Sequence, residues 1–282
     1  MGALPKPSWN ESPAPYERPQ APEFSGVFRG HELTRKHRRL SSGLAPLDAL
    51  IDGGIPRGRI SEITGRAGSG KTSIAASFAA FATRRGEVAA WLDASGAFDP
   101  ESMVAAGVEL RRMLWASMTT TTRMARATFS HTRFAVGSLA RRQSAIVKAA
   151  ELVLEAGGFG LVVVDFGEAP RALTHASALR IARAAERSGA AVIAIAPWRM
   201  CGTFAALSLS ASRAQTSFSR LAPGSPVMFD GLAVDAMVAR NKMGGTGRRV
   251  RVRALVDSIP NPFESHPHLD RNKSPVRISA SS

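Results

Sequence analysis

The segment GRAGSGKT, from Gly65 to Thr72, has the residue types and spacing of a phosphate-binding loop. It fits the pattern G-x-x-x-x-G-K-S/T between an apolar run and a helical stretch. Glycines there let successive backbone N–H groups face phosphate oxygens, and the following helix adds its dipole. Lys71 would contact the β and γ phosphates, and Thr72 would offer its hydroxyl to Mg²⁺. The segment therefore predicts a site for ATP and Mg²⁺ with these nucleotide-binding residues: Gly65, Arg66, Ala67, Gly68, Ser69, Gly70, Lys71, Thr72 and Ser73.

An acidic partner for the metal follows the apolar run GFGLVVVD, which ends at Asp165. The run predicts a buried parallel strand, and the carboxyl ends of such strands line the crevice where open sheets bind ligands. We expect the Asp165 carboxylate to hold Mg²⁺ directly or through a water molecule. Thr72 and Asp165 are therefore the predicted metal ligands.

The elements that position these residues are predicted from alternating apolar and helical runs. Strands are predicted at 58–64, 87–93, 160–166, 190–196, 232–239 and 248–255, with helices at about 71–85, 139–157 and 170–188. Near-continuous aliphatic strands separated by helices indicate a mostly parallel sheet with helices on both faces. The last run, RRVRVRAL, alternates charged and apolar residues, which favours a C-terminal antiparallel hairpin that extends the sheet. The predicted fold class is therefore α/β.

The composition predicts one domain with flexible flanks. The chain has 282 residues, of which 44% are hydrophobic, which is enough for one sizeable core. Residues 1–28 are rich in proline, and residues 258–282 are rich in Pro, Ser and Asn, so both segments are predicted to be disordered. The domain then spans 29–257. Within it, residues 116–142 combine a threonine run with scattered arginines and are predicted to form a mobile basic insert.

The charge balance favours a polyanionic partner. Lys and Arg total 37 against 22 Asp and Glu, a formal charge of +15, which favours DNA bound through counterion release. Aromatic residues form only 6% of the chain, so backbone contact without base reading is expected. The candidate DNA-backbone residues are Arg35, Lys36, Arg38 and Arg39 before the core, and Arg248, Arg249, Arg251 and Arg253 on the last strand. A solvated charge run, or an edge strand protected against aggregation, is the alternative interpretation.

The single cysteine, Cys201, excludes an intrachain disulfide and favours a reducing compartment, where we expect it to be a packing residue. No apolar run reaches the length of a membrane span, and the N-terminal segment lacks the apolar core of a signal peptide. We therefore expect a cytoplasmic protein without a membrane partner.

The region from Leu40 to Pro100 resembles the core of the RecA recombinase family. The segments LSSGLAPLDALIDGGIPRGRISEITGRAGSGKT and EVAAWLDASGAFDPESM carry the likeness, which continues more weakly to about residue 255. The resemblance implies a RecA-like P-loop NTPase core and an adenine contact from Asp99. It also implies that Arg240 and Lys242, in the segment ARNK, reach across a subunit interface to a neighbour's γ-phosphate. A cation-rich strand end is the alternative for this pair.

The chain departs from that family at positions that carry its chemistry. The family's water-polarising glutamate matches Ser95, and its γ-phosphate-sensing glutamine matches Pro197, which has neither an amide side chain nor a backbone donor. The aromatic residue near adenine matches Ser102. The loops that follow Asp165 and the WRM segment are also shorter than the family's DNA-binding loops. These departures imply ATP binding with little or no hydrolysis and leave no assigned catalytic residue.

Among RecA relatives, the chain resembles the shortened ImuA-type proteins, which act with polymerase-type proteins in damage-induced translesion synthesis. The segments LEAGGFGLVVVDFGEAP and LRIARAAERSGAAVIAIA carry that likeness. It implies an SOS-type DNA-repair accessory protein at the nucleoid, with DNA polymerase-type repair proteins, RecA or copies of itself as partners. Two alternatives stay open. One is a DNA-dependent ATPase or recombinase that uses Asp93 or Glu168 as its carboxylate, and the other is an interaction-only protein of the cell-division-inhibitor type.

Overall fold

One large sheet organises the described part of the chain. The computed structural model describes residues 38–118, 135–220, 224 and 226–255. The predicted leader at 1–28, the predicted tail at 258–282, Arg35 and Lys36, and residues 119–134 of the predicted insert lie outside the described residues. In chain order the elements are β1 (Arg39–Leu40), α1 (Ala45–Leu50), β2 (Ile55–Pro56), β3 (Ile60–Thr64), α2 (Lys71–Arg84), β4 (Val88–Asp93), α3 (Pro100–Ala105), β5 (Met113–Ser117), α4 (Ala135–Ala156), β6 (Phe159–Asp165), α5 (His175–Ser188), β7 (Ala191–Ala196), β8 (Ala205–Ser219), β9 (Met228–Asn241) and β10 (Arg249–Leu255).

The main sheet has eight strands in the order β10-β9-β8-β3-β7-β6-β4-β5. All neighbours from β8 to β5 pair in parallel. The pairs β8 with β9 and β9 with β10 are antiparallel. This topology confirms the predicted α/β fold class, with its mostly parallel sheet and its C-terminal antiparallel extension.

Helices cover both faces of the sheet because successive side chains of a strand point to opposite faces. On β4, for example, Trp91 belongs to a buried cluster with Phe78 of α2. Its neighbour Leu92 belongs to a second cluster with Ile146 of α4 and Ile181 of α5. The two clusters pack against opposite faces of the strands, and this packing fixes the positions at which the loops after the strands begin.

Helix boundaries near the site follow from local chemistry. Helix α2 begins directly after Gly70 and ends at Arg84, close to the predicted 71–85. Helix α5 begins at His175 instead of the predicted residue 170, because Thr174 caps it by accepting the Ser177 N–H at 3.2 Å. The helix prediction for residues 170–174 was therefore wrong.

Two strands of the sheet were not predicted. Strand β8 has 15 residues rich in Ser and Ala, whose weak β-propensity hides a strand that pairs with both β3 and β9. Strand β5 forms the outer edge of the sheet and exposes Leu114 and Trp115. Both ends of the predicted insert belong to regular elements, since residues 116–117 complete β5 and residues 135–142 lie in α4. No helix in the described ranges has both the length and the apolar character needed to cross a membrane.

Candidate nucleotide site

The predicted phosphate loop lies at the carboxyl edge of the sheet, between β3 and α2. The Gly65 N–H donates to the Ala196 carbonyl at 3.2 Å, which ties the loop to the end of β7. A Cβ on Gly65 would stand 2.5 Å from the carbonyl oxygen of Ala211. A Cβ on Gly70, whose φ is 85°, would stand 2.2 Å from Cγ2 of Val234. Both positions therefore require glycine for packing, and Gly70 requires it for backbone conformation as well.

Strands β8 and β9 form a wall beside the loop, and an arginine on this wall faces it. Arg213 of β8 pairs in register with Val234 of β9, the residue that meets Gly70. The Nη1 atom of Arg213 lies 3.9 Å from the position that a Cβ on Gly68 would occupy. Its guanidinium forms no ion pair within the described part of the chain. The loop therefore has a second cation at its rim, in addition to Lys71.

Lys71 is 4% exposed, and its charge is met by two oxygens. Its Nζ forms an ion pair with Oε1 of Glu168 and donates to the Arg66 carbonyl at 3.4 Å. Glu168, an alternative catalytic carboxylate in the sequence, therefore contacts the lysine of the predicted phosphate loop. In the same loop, the buried Oγ of Ser69 has no hydrogen-bond partner among the described residues. A buried cation and an unpaired hydroxyl in a glycine loop fit an anionic ligand.

Asp165 ends β6 and is 7% exposed. Burial raises the pKa of this carboxyl to about 6; the Gly167 N–H opposes the rise, Asp93 adds to it, and Lys71 opposes it. The Gly167 N–H donates to Oδ1 of Asp165 at 2.9 Å. The raised pKa means that Asp165 ionises just below neutral pH, where a bound cation would stabilise the charged form.

Thr72 and Asp165 together fit a magnesium ion that arrives with a nucleotide. Thr72 lies in the first turn of α2 and Asp165 at the end of β6, so both lie at the carboxyl edge of the sheet. Hydroxyl and carboxylate oxygens suit Mg²⁺, which uses few protein ligands and completes its shell with water and phosphate oxygens. In the described ranges there is no group of three or more His, Cys, Asp or Glu that could hold a metal.

Asp93 has a structural role in the turn after β4. Its carboxylate is fully buried and accepts the N–H groups of Ser95 at 2.9 Å, Gly96 at 2.8 Å and Phe98 at 3.0 Å. The Ser95 hydroxyl donates to the same carboxylate at 3.1 Å. Asp93 thus accepts four hydrogen bonds and is shielded from solvent, which does not suit a base that must contact a water molecule. The Ser95 hydroxyl therefore stabilises the turn after β4.

Pro197 follows β7 directly, beside the phosphate loop, in a turn that a buried carboxylate holds in place. Glu62 of β3 accepts the N–H groups of Met200 and Cys201, both at 2.6 Å, and the Ser208 hydroxyl at 2.9 Å. Burial raises the pKa of the Cys201 thiol, and Glu62 raises it further. Cys201 is 2% exposed and packs in the core. The turn is therefore fixed to the sheet and brings no amide side chain to the loop.

Asp99, the predicted adenine contact, caps α3. Its carboxylate accepts the Glu101 N–H at 3.4 Å and the Ser102 N–H at 3.1 Å, together with the Ser102 hydroxyl. The hydrogen bonds from Ser102 hold the pKa of Asp99 below its usual value. Strands β7 and β6 lie between β4, which precedes this turn, and β3. No described hydrogen bond or ion pair joins Asp99 to the phosphate loop.

Arg240 and Lys242 lie at the opposite edge of the sheet from the phosphate loop. Arg240 pairs in register with Ser208, which pairs with Glu62 at the middle of β3, and the Lys242 N–H donates to the carbonyl of Ala206, near the start of β8, at 2.9 Å. Burial lowers the pKa of Lys242, and the charges of Arg240 and Arg59 lower it further. These cations cannot contact a nucleotide bound to their own loop, so contact with a second copy stays the prediction.

Three of the six described DNA candidates have ion-pair or backbone hydrogen-bond partners within the chain. Arg39 donates to two backbone carbonyls of the α1–β2 turn at 3.1 and 2.8 Å. Arg248 pairs with Asp52 at 3.1 Å. Arg251 pairs with both carboxylate oxygens of Asp235 at 2.7 and 3.1 Å, and this contact raises the pKa of Arg251. The candidates whose side chains stay exposed without an ion pair are Arg38, Arg249 and Arg253.

The loop, its lysine and the aspartate at the end of β6 invite comparison with known proteins. Residues 26–125 match the RecA N-terminal domain. Protein RecA of Rubrobacter xylanophilus is 45% identical over 85 residues, which are 30% of this chain and 25% of that protein. Protein RecA of Nostoc punctiforme is 43% identical over 89 residues, which are 31% of this chain and 25% of that protein.

The chain therefore spans about a quarter of the length of the curated relatives it matches. The crystal structure of the RadB recombinase is 20% identical with a TM-score of 0.48, and the match covers 75% of this chain and 94% of that one. The sequence matches relate the part of the chain that carries the phosphate loop to RecA-like recombinases. The resemblance seen in the sequence is confirmed at this level.

Three contacts were not foreseen from the sequence. They are Glu168 on Lys71, Arg213 beside Gly68, and Glu62 under the turn after β7. Arg213 was missed because its strand was missed. A glutamate two residues before the end of a strand, such as Glu62, carries no local signal that it is buried. The contact of Glu168 with Lys71 exists only because the loop after β6 lies close to α2, which the sequence does not show.

Proposed function

We propose that this protein binds ATP with Mg²⁺ at the loop between β3 and α2, hydrolyses it little or not at all, and acts as an accessory protein in DNA repair. The observation that carries the proposal is a contrast at one edge of the sheet. Lys71 begins α2 and Asp165 ends β6, while Ser95 and Pro197 stand at the positions that the family resemblance assigns to the water-activating and phosphate-sensing groups.

Binding and turnover place different demands on these residues. A nucleotide phosphate needs backbone N–H groups, the helix terminus and a lysine, and this chain has all three. Turnover also needs a group that orients and polarises water, for which a serine hydroxyl that donates to Asp93 is unsuited. When bound, Mg²⁺ would neutralise phosphate charge, held by Thr72 and Asp165.

DNA and protein contacts would then carry the biological effect. The formal charge of +15 and the exposed arginines of β10 support non-specific contact with the DNA backbone. A role of the ImuA type, in translesion synthesis at the nucleoid, would supply RecA and polymerase-type repair proteins as partners. We expect DNA affinity to fall steeply with salt and to depend little on sequence, which a fluorescence anisotropy titration at several salt concentrations measures. Salt-insensitive or sequence-selective binding would contradict this part.

A second candidate, a DNA-dependent ATPase, is favoured by one observation. Glu168 is a half-exposed carboxylate in direct contact with the phosphate-binding lysine, so a carboxylate is present near the site. Against it, this carboxylate neutralises Lys71 in place of the phosphates, which is the opposite of what a base beside a bound nucleotide does.

The experiment that separates these candidates measures ATP binding and steady-state hydrolysis on one purified sample, with and without single-stranded DNA. Saturable, Mg²⁺-dependent binding with turnover close to the background rate supports the accessory role. If DNA stimulates turnover many-fold, the accessory role is wrong and the protein is a DNA-dependent ATPase. No binding at all would favour the interaction-only alternative.

A further inference from the structure

Glu168 forms an ion pair with the lysine that a bound nucleotide would contact. Lys71 is almost completely buried, and its Nζ meets Oε1 of Glu168. A phosphate oxygen contacting the same ammonium would bring negative charge against this carboxylate, and like charges in contact repel. The two anions therefore compete for one cation. Because Glu168 is 53% exposed, its side chain has room to leave.

We propose that Glu168 is the nucleotide sensor of this protein: it holds Lys71 in the absence of a phosphate, and its release on ATP binding shifts the 166–174 loop and helix α4. This inference rests on the proposed nucleotide site and concerns how occupancy of that site is signalled. The loop starts at the end of β6 and ends at the cap of α5, so displacement of Glu168 acts on a segment anchored at both ends.

A two-way hydrogen bond joins this loop to α4. Nε2 of Gln143 donates to the Arg171 carbonyl at 2.6 Å, and the Arg171 N–H donates to Oε1 of Gln143 at 2.7 Å. One side chain on the helix thus fixes both backbone groups of a residue three positions after Glu168. A movement of the loop either carries Gln143 with it or breaks both bonds, so α4 responds to the position of the loop.

A cavity beside Glu168 can accept the displaced carboxylate. It has a volume of about 130 Å³ and is lined by Glu168 itself, Ser95, Arg142, Gln143 and the backbone near Gly167. Arg142 offers a guanidinium, so the carboxylate would exchange one cation for another. The family position for a sensing glutamine carries Pro197, and Glu168 supplies a separate connection between the loop at Lys71 and the rest of the protein.

The first test compares affinities for Mg²⁺-ATP. Removing the competing charge with Glu168→Gln or Glu168→Ala should tighten ATP binding about three- to tenfold, since the variant no longer has to break an ion pair. Glu155→Gln is the matched control, because Glu155 pairs with Arg187 at 3.5 Å, away from the loop. Isothermal titration calorimetry measures the constants. Equal or weaker binding by the Glu168 variants would overturn the proposal.

The second test needs no nucleotide. Hydrogen–deuterium exchange of the 166–174 loop should be faster in Glu168→Gln than in the wild type, and Mg²⁺-ATP should give the wild type the same increase. Gln143→Ala should abolish the ATP-dependent change in α4, whereas Ser144→Ala, the neighbouring control, should keep it. Identical exchange in the wild type and Glu168→Gln would refute the sensor.

The outcomes separate this inference from the proposed function. If neither the wild type nor Glu168→Gln binds ATP, the nucleotide site fails; the exchange comparison without nucleotide still decides whether Glu168 restrains the loop. If ATP binds and turns over, and Glu168→Gln abolishes turnover without tightening binding, Glu168 is a catalytic base and the sensor is rejected.

Discussion

The segment after β3 and the segments after β4 and β7 share one edge of the sheet, but only the first has the residues that a phosphate-binding loop needs. After β3, glycines fill positions where a Cβ would collide, a lysine is buried, and a hydroxyl follows it. After β4 and β7, Ser95 donates to a buried aspartate, and Pro197 brings no amide side chain to the edge of the sheet. The difference indicates that holding a nucleotide depends mainly on backbone shape and one charge, whereas consuming it depends on two particular side chains.

The largest effect is expected from Lys71→Ala, which removes the charge on which the loop after β3 depends. Affinity for Mg²⁺-ATP should fall about 10- to 100-fold, the usual loss for a hydrogen-bonded charged contact. Calorimetric titration measures it, with the melting temperature as a control for folding. An unchanged affinity would place the nucleotide elsewhere and remove the contrast between the segments.

Asp165→Asn tests the buried carboxyl that adjoins both segments. Its pKa, raised from 3.8 to about 6, means that the folded state binds more protons than the unfolded state between these values. The unfolding free energy of the wild type should therefore fall as pH rises from about 4 to about 6, and this loss should be absent in the variant. At pH 7 without Mg²⁺, the variant should be more stable by about 1–3 kcal/mol.

Urea titrations at pH 4.5 and pH 7.5 measure this difference. Adding Mg²⁺-ATP should stabilise the wild type more than Asp165→Asn, because only the wild type supplies the metal ligand. A variant whose stability follows the same pH profile as the wild type would show that Asp165 is not the group responsible.

Arg213→Ala sharpens the comparison by testing the rim of the loop after β3. Since the guanidinium lies beside Gly68 without an ion pair, its loss should weaken ATP binding about three- to tenfold and AMP binding less. Arg253→Ala, on β10, is the control and should bind as the wild type does. Equal losses for ATP and AMP would mean that Arg213 does not contact the outer phosphates.

The smallest effect is expected from Ser95→Glu. A glutamate there adds the carboxylate that the family resemblance implies at this position but leaves Pro197 unchanged, and it loses the hydroxyl that donates to Asp93. We expect ATP turnover to change by about twofold or less, since acid–base groups act only in the right geometry. A large gain in a phosphate-release assay would show that this residue alone separates the chain from an ATPase.

The fold and the position of the predicted phosphate loop within it could be predicted from the sequence because their signals are local. The P-loop pattern, the run before Asp165 and the charged alternation of β10 each depend on neighbouring residues, and the structure places them as expected. Other features depend on the geometry of a turn or on distant partners. The capping role of Asp99 and the saturation of Asp93 come from turn geometry, and the pairing of Glu168 with Lys71 joins residues 97 positions apart. No periodicity in the sequence reports such contacts.

The contact between Gly70 and Val234 changes how the ancestry of this protein can be inferred. Since the glycine is required by packing against β9 and by its φ of 85°, selection for folding alone would preserve it in a descendant that had lost its ligand. The same holds for Gly65 against β8. Lys71 is different, because no packing constraint demands an ammonium there. In a lineage that no longer binds nucleotides, Lys71 should therefore be lost first. The glycines should be kept, because the fold itself requires them.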